Sequence, residues 1–203
     1  MKLTIADWAR TAGLTVDDLP TQLSVLSSEV IETMQGLNLR HRYLVIDGLV
    51  DVHWMVQVAK ALTDGAMDLT SQLQDLFDEV DDIFPFLISK HFQNGQHVVM
   101  EANFSKFCKT VEEAEATLKA YREIKVDVHY KRVGDLYVIR SSFNQIGIDG
   151  KTYSKDKILK SINFIEPRFI GIPDSSFSQA VQEGYGGSAS MYDKAVAKHG
   201  FCG

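Results

Sequence analysis

The chain has 203 residues, 45% of them hydrophobic, and a formal net charge of -6, which suits one main core plus an appendage and excludes a disordered chain. The acidic balance excludes the broad basic footprint that direct binding to a nucleic-acid polymer or an anionic membrane would need, although carboxylates holding divalent cations invert that sign locally. No run of roughly 18 apolar residues could span a bilayer and the opening MKLTIADWAR carries no apolar stretch after a basic start, so a cytoplasmic protein without membrane association is expected.

Residues 1–22 read as a short N-terminal helical arm, docked by Trp8 and Leu14, with Pro20 ahead of a new helix. From there Leu23, Leu26, Val30, Met34 and Leu37 recur at helical steps, and Gly36 is a plausible stop. A second helix starts near Tyr43; YLVIDGLVDVHWMVQVAKAL is apolar on almost every side and should be the most buried helix of a bundle. Leu69, Leu73, Leu76, Val80 and Ile83 mark a third helix that Pro85 ends.

Gln93-Asn94-Gly95 reads as a turn, and Thr110 with Glu113 as the capping box of a further helix. The period then changes: Val126, Val128 and Tyr130 alternate with polar residues, Gly134-Asp135 turns the chain, and LYVIRSSF completes a β-hairpin. The expected organisation is therefore mainly α: an arm (1–22), a helical core (23–125, with 66–97 as an insertion), a β-hairpin appendage (126–171) and a weakly ordered tail (172–203) with a short helix near Met191 to Lys198. Cys108 and Cys202 are the two cysteines, too few for a disulfide framework or a zinc site, and both read as free thiols.

Chemistry concentrates in the acids. Glu29 and Glu32 stand three apart on the first long helix, a spacing that is common on solvated faces. Asp47 and Asp51 stand four apart in a nearly all-apolar helix, on a stripe shared with Leu44, Trp54 and Val58. Ionised carboxylates removed from water cost several kcal/mol each unless paired or metal-bound, so a cation is expected between them. Arg40, Arg42 and Lys60 are the nearby protein cations, and a structural salt-bridge network is the bland alternative. If the two helices pack antiparallel, four carboxylates surround one cavity, a donor set that suits Mg²⁺. Another acidic pair, Glu79 and Asp82, sits in a charge run of Asp75, Asp78 and Asp81 that reads as solvated. The six histidines form no convincing ligand set, His53 reading as a hydrogen-bonded core residue, and no serine or cysteine has a nucleophile's context.

EVIE followed by DGLVD, then VVMEANFSKFCKTVEEAEATLKAY, VDVHYKRVGDLYVIRSS and KILKSINF, resembles the MazG-like all-α nucleoside triphosphate pyrophosphohydrolases, including phage-type members, over roughly residues 23 to 165. The resemblance implies an antiparallel helical bundle and Mg²⁺-dependent cleavage between the α- and β-phosphates, with Mn²⁺ a substitute. By position it implies metal-binding roles for Glu29, Glu32 and Asp51. The family's second pair is ExxD, but Gly48 stands three before Asp51, so Asp47 must supply that carboxylate. Asn103 and Lys106 fall on the family's Asn-x-x-Lys segment and are candidates for contacts to sugar and phosphates. Glu32 is the candidate to orient or deprotonate the attacking water. The resemblance also implies a homo-oligomer, a dimer or tetramer. Alternatives are a phosphoribosyl-ATP or alarmone hydrolase on the same scaffold and a non-catalytic binding module, for which Gly48 is the best sequence support.

Overall fold

A computed structural model describes residues 4–172; the expected glycine-rich tail beyond residue 172, its short helix and Cys202 lie outside the described residues. Six helices come first in the chain: α1 (Ile5–Thr11), α2 (Leu19–Asn38), α3 (Arg42–Leu62), α4 (Thr70–Ile83), α5 (Leu87–Phe104) and α6 (Val111–Glu123). Two small antiparallel sheets follow, pairing β1 (Val128–Val133) with β2 (Leu136–Ser141) and β3 (Gln145–Ile146) with β4 (Thr152–Tyr153). The mainly helical class with a β-hairpin toward the C-terminal end agrees with the sequence. Among the described residues no helix is long and apolar enough to cross a membrane.

The centre of the bundle is α3. It buries Leu44, Val45, Ile46, Leu49, Val50, Val52, Trp54, Met55, Val56 and Val58, residues that leave no face for water and so demand neighbours on several sides. Helices α1, α2, α4 and α5 supply them. His41 caps its start, the ring Nδ1 accepting from the Leu44 N–H at 3.2 Å. Only Leu39 to His41 separate α2 from α3, with Arg40 at φ 50°, and so short a link makes the two helices antiparallel neighbours.

Gly36 is not the stop that the sequence suggested. It lies inside α2, where an added Cβ would stand 3.0 Å from the Val45 N and 3.1 Å from the Leu44 Cβ. Gly48 repeats the arrangement from the other helix: a Cβ there would stand 3.0 Å from the Thr33 N and collide with the Thr33 hydroxyl. Residue 33 thus faces 48 and residue 36 faces 45, opposite steps of three on two helices in close backbone approach.

Gln93-Asn94-Gly95 is no turn either, but the middle of α5. Gly95 is needed for proximity: a Cβ would meet the Val50 Cγ2 at 2.8 Å and the Phe169 ring at 3.1 Å. Pro85 does end α4, Phe84 turning extended before it and Phe86 taking φ 68° to open α5. Segment 66–97 thus forms α4 and the first part of α5, and its Leu73, Leu76, Val80, Phe84 and Leu87 join the same core as α3.

Thr110 caps α6 as expected, accepting from the Glu113 N–H, while the Glu113 carboxylate reaches back to the Lys109 N–H rather than to Thr110. Helix α6 packs on the hairpin, and Ala114, Leu118, Val126, Val128, Ile139, Tyr153 and Leu159 form a second small core with Cys108. That thiol is buried beside the Thr117 hydroxyl at 3.6 Å, and burial pushes it up from its ordinary range. Gly134 and Asp135 make the two-residue turn between Val133 and Leu136, Gly134 at φ +60°.

The hairpin is bolted to the arm. Arg140 of β2 binds the Asp18 carboxylate at 2.8 Å and the Ala12 carbonyl at 3.1 Å. Both side chains are largely buried; burial alone would raise Asp18, but the Thr15 N–H and Arg140 hold it below the usual carboxylate range. Segment 157–159 then runs along β2, Ser141 N–H donating to the Lys157 carbonyl and Leu159 N–H to that of Ile139.

Gly48→Ala should destabilise the protein. Overpacking costs about 1–3 kcal/mol against about 1 kcal/mol gained in helix propensity, a net loss of up to about 2 kcal/mol measurable by urea unfolding. Adding Thr33→Ala, which removes the colliding hydroxyl, should restore part of that loss in a double-mutant cycle.

Candidate functional site

The α2/α3 register fixes the acids. Continuing the 33-to-48 pairing by one turn sets Glu29 beside Asp51, and Glu32 falls toward Asp47 and Asp51. All four carboxylates are half-buried between the helices. They act on one another: burial first, then the charges of Asp51, Glu32 and Asp47, push Glu29 well above its ordinary value. Burial, Asp51, Glu32 and Glu166 do the same to Asp47. Burial raises Asp51 to about 6 even though Lys106 and Lys160 pull it down. The structure thus brings together Glu29, Glu32, Asp47 and Asp51, as the sequence reading required.

Of the cations near in sequence, Lys60 pairs with Asp68 at 2.6 Å and Arg42 lies over the Phe84 ring at 5.2 Å. Charges that relieve Glu29, Asp47 and Asp51 belong to Lys106 at the end of α5 and to Lys157 and Lys160 after the hairpin. Burial lowers Lys106 to about 8, partly offset by Asp51. Its ammonium donates to the Asn103 Oδ1 at 2.6 Å.

Asn103 is 6% exposed. Its side-chain amide donates to the Val99 carbonyl at 3.1 Å, and its backbone carbonyl accepts from the Trp8 indole at 2.9 Å. It holds Lys106 in place, and its side chain is engaged within the protein on both the donor and the acceptor side.

A cleft of about 100 Å³ opens beside the acids, lined by Glu29, Asp51, Lys106 and Lys157 together with Trp8, Gln22, Val25, Trp54 and Met55. The arm thus contributes to the site, a role its sequence does not announce. Lys157 also escaped notice, because nothing local in KDKILK distinguishes it from a solvated lysine. The strand-like path of residues 157–159 along β2 is what delivers it. Glu79 and Asp82, the competing pair, are exposed on α4. His53 is half-buried, within 3.3 Å of the Gln96 amide and edge-on to Phe92, and burial lowers it.

Among the described residues no group of three His, Cys, Asp or Glu side chains is arranged so that it could hold an ion by itself. The acids stand in coulombic range of one another without forming a closed cage. The donor chemistry nonetheless fits Mg²⁺, which takes one or two protein carboxylates and completes its octahedron with water and phosphate oxygens. No family model, curated protein or solved structure matches the chain.

The raised carboxylates have a thermodynamic consequence. For Asp51 the folded value of about 6 exceeds the ordinary 3.8, so folding favours the protonated form, and its contribution to stability is full below pH 4 and lost as pH rises through 6. In EDTA, the melting temperature should therefore fall between about pH 4 and pH 6 on this account. If the acids hold Mg²⁺, the metal should raise it above pH 6 and have no effect below pH 4; calorimetric scans across that range, with and without the metal, check this.

Proposed function

We propose that the protein is a Mg²⁺-dependent nucleoside triphosphate pyrophosphohydrolase, releasing a nucleoside monophosphate and pyrophosphate. The observation that carries it is the convergence of Glu29, Glu32, Asp47 and Asp51 into one mutually repelling, desolvated cluster, of which Glu29 and Asp51 line a cleft together with Lys106 and Lys157. Carboxylates kept in that state call for a cation, and lysines across a cleft from them call for an anion. A metal-bound triphosphate supplies both. The MazG-like resemblance of EVIE and DGLVD points to the same chemistry.

In this reading one or two carboxylates of the Glu29, Glu32, Asp47 and Asp51 cluster would hold Mg²⁺, or Mn²⁺ in its place, with water and phosphate oxygens completing its shell. The bound metal would acidify a water and offset charge on the departing pyrophosphate. Glu32 orients that water and takes its proton. The water adds across the α–β anhydride, the bridging P–O bond breaks, and pyrophosphate leaves with the electron pair. Lys106, positioned by Asn103, and Lys157 bind phosphate oxygens and draw the chain of phosphates along the cleft. The low value of Lys106 rises when an anion sits beside it, so binding recruits its charge.

Gly48 no longer argues for a lapsed enzyme. Its absent side chain lets α2 reach α3, and a glutamate there would collide with Thr33. Asp47, one residue earlier, is the neighbouring position whose side chain joins the cluster. A phosphoribosyl-ATP or alarmone substrate would use the same acids and lysines and is separated by substrate profiling.

A panel of nucleoside triphosphates, assayed for pyrophosphate release with Mg²⁺ and with EDTA, tests the proposal; retention of every nucleotide intact would sink it. Asp51→Asn should reduce turnover at least about 100-fold, the scale on which catalytic electrostatics act, while the protein stays folded. Assembly belongs to the same proposal: light scattering should give a dimer or tetramer, and a single-chain mass at working concentration would count against it.

A further inference from the structure

Segment 157–165 carries Lys157 and Lys160 toward the acids, yet it belongs to no helix or strand. Its first residues lie along β2, and beyond them side-chain hydroxyls hold it. Tyr121 donates its O–H to the Lys160 carbonyl at 3.1 Å, and the buried Thr117 hydroxyl accepts from the Ile162 N–H at 3.1 Å. Two further bonds join the segment to the end of α5. Ser161, 5% exposed, donates its hydroxyl to the Ser105 carbonyl at 2.8 Å, and the Ser105 hydroxyl accepts in return from the Ile165 N–H at 2.9 Å. Ser161 directly follows Lys160, and Ser105 directly precedes Lys106.

These two serines therefore tie together stretches of chain whose lysines repel. Burial lowers Lys106 most, Asp51 raises it, and the charges of Lys160 and Lys157 lower it further. Each lysine has its own restraint or outlet: Lys106 donates to Asn103, Lys160 pairs with Glu166 at 2.8 Å over the Phe164 ring, and Lys157 lines the cleft. Like charges gathered in one place oppose the packing that gathers them, and an anion among them reverses the sign of that interaction. We infer that Ser105 and Ser161 are positioning residues, a clasp that sets Lys157 and Lys160 relative to Lys106 so that the three charges act on one polyphosphate chain. This deepens the hydrolase reading and rests on it for the identity of the anion. Neither hydroxyl touches the ligand; losing one loosens the segment, and repulsion then lets the lysines separate.

The test is equilibrium binding to the full chain, with inorganic tripolyphosphate in Mg²⁺ as one probe and Mg²⁺ alone as the other. Ser161→Ala should weaken tripolyphosphate binding roughly three- to tenfold, the worth of one hydrogen bond. It should leave Mg²⁺ alone bound at least as tightly as by the wild type, because displaced lysines repel a cation less. In a Lys157→Met background the loss caused by Ser161→Ala should shrink, since one of the charges it positions is gone. Ser105→Ala, which removes the reciprocal bond to Ile165, gives the same readout if the first variant does not fold. An unchanged tripolyphosphate affinity in the folded variant, an equal loss with and without Lys157, or weakened binding of Mg²⁺ alone overturns the clasp, as does a wild type that does not bind tripolyphosphate. The hydrolase reading is judged apart from it, by turnover of nucleoside triphosphates: the predicted binding pattern without turnover keeps the clasp and removes the hydrolase, and turnover without the pattern does the reverse.

Discussion

Everything at the site depends on the close approach of α2 to α3. Two glycines make it, Gly36 from one helix and Gly48 from the other, each set against backbone of its neighbour at about 3 Å from where a Cβ would sit. The buried Thr33 fills the space at Gly48, its hydroxyl donating back to the Glu29 carbonyl at 2.8 Å. That bond ties the packing contact to the turn of α2 that presents Glu29. A wider interhelical gap would let water in among the carboxylates, and their ordinary acidity would return.

The acids are therefore a source of strain in the fold. Burial and mutual repulsion both oppose ionisation of Glu29 and Asp47, and three lysines relieve the repulsion only in part. Under the proposed function a cation would act on a group of like charges that the helices have already brought together, and its binding energy would be coupled to folding. The lysines come from elsewhere in the chain: Lys106 from the end of α5, Lys157 and Lys160 from the segment that follows the sheets. The segment that carries Lys157 runs along β2, which Arg140 ties to Asp18 and to the arm's carbonyls. Arm, bundle and hairpin consequently meet at one cleft, and the hairpin segment contributes side chains to it instead of standing apart.

Local chemistry made the elements legible. The apolar periodicity of α3 and α4, the break at Pro85, the Thr110 cap and the Gly134-Asp135 turn all depend on residues within a few positions of one another. The acid pairs were legible for the same reason, since three- and four-residue spacings put side chains on one face of a helix whatever it packs against. Gly36 and Gly95 misled because a glycine that permits close contact has the same letter as one that ends a helix. Only the neighbour across the gap, Val45 in one case and Val50 with Phe169 in the other, tells them apart.

By itself the sequence determined a mainly helical protein with a β-hairpin, its most buried helix, and the four acids that would matter if two helices packed antiparallel. Those are consequences of short-range spacing and composition, which need no knowledge of distant contacts. Tertiary structure alone decided that Gly48 is a packing residue, that Asn103 is engaged in holding Lys106, and that Lys157, Trp8 and Gln22 share a cleft with Glu29 and Asp51. Each of those joins residues far apart in the chain, and a side chain's solvation, charge and partners are set by whatever the fold brings beside it.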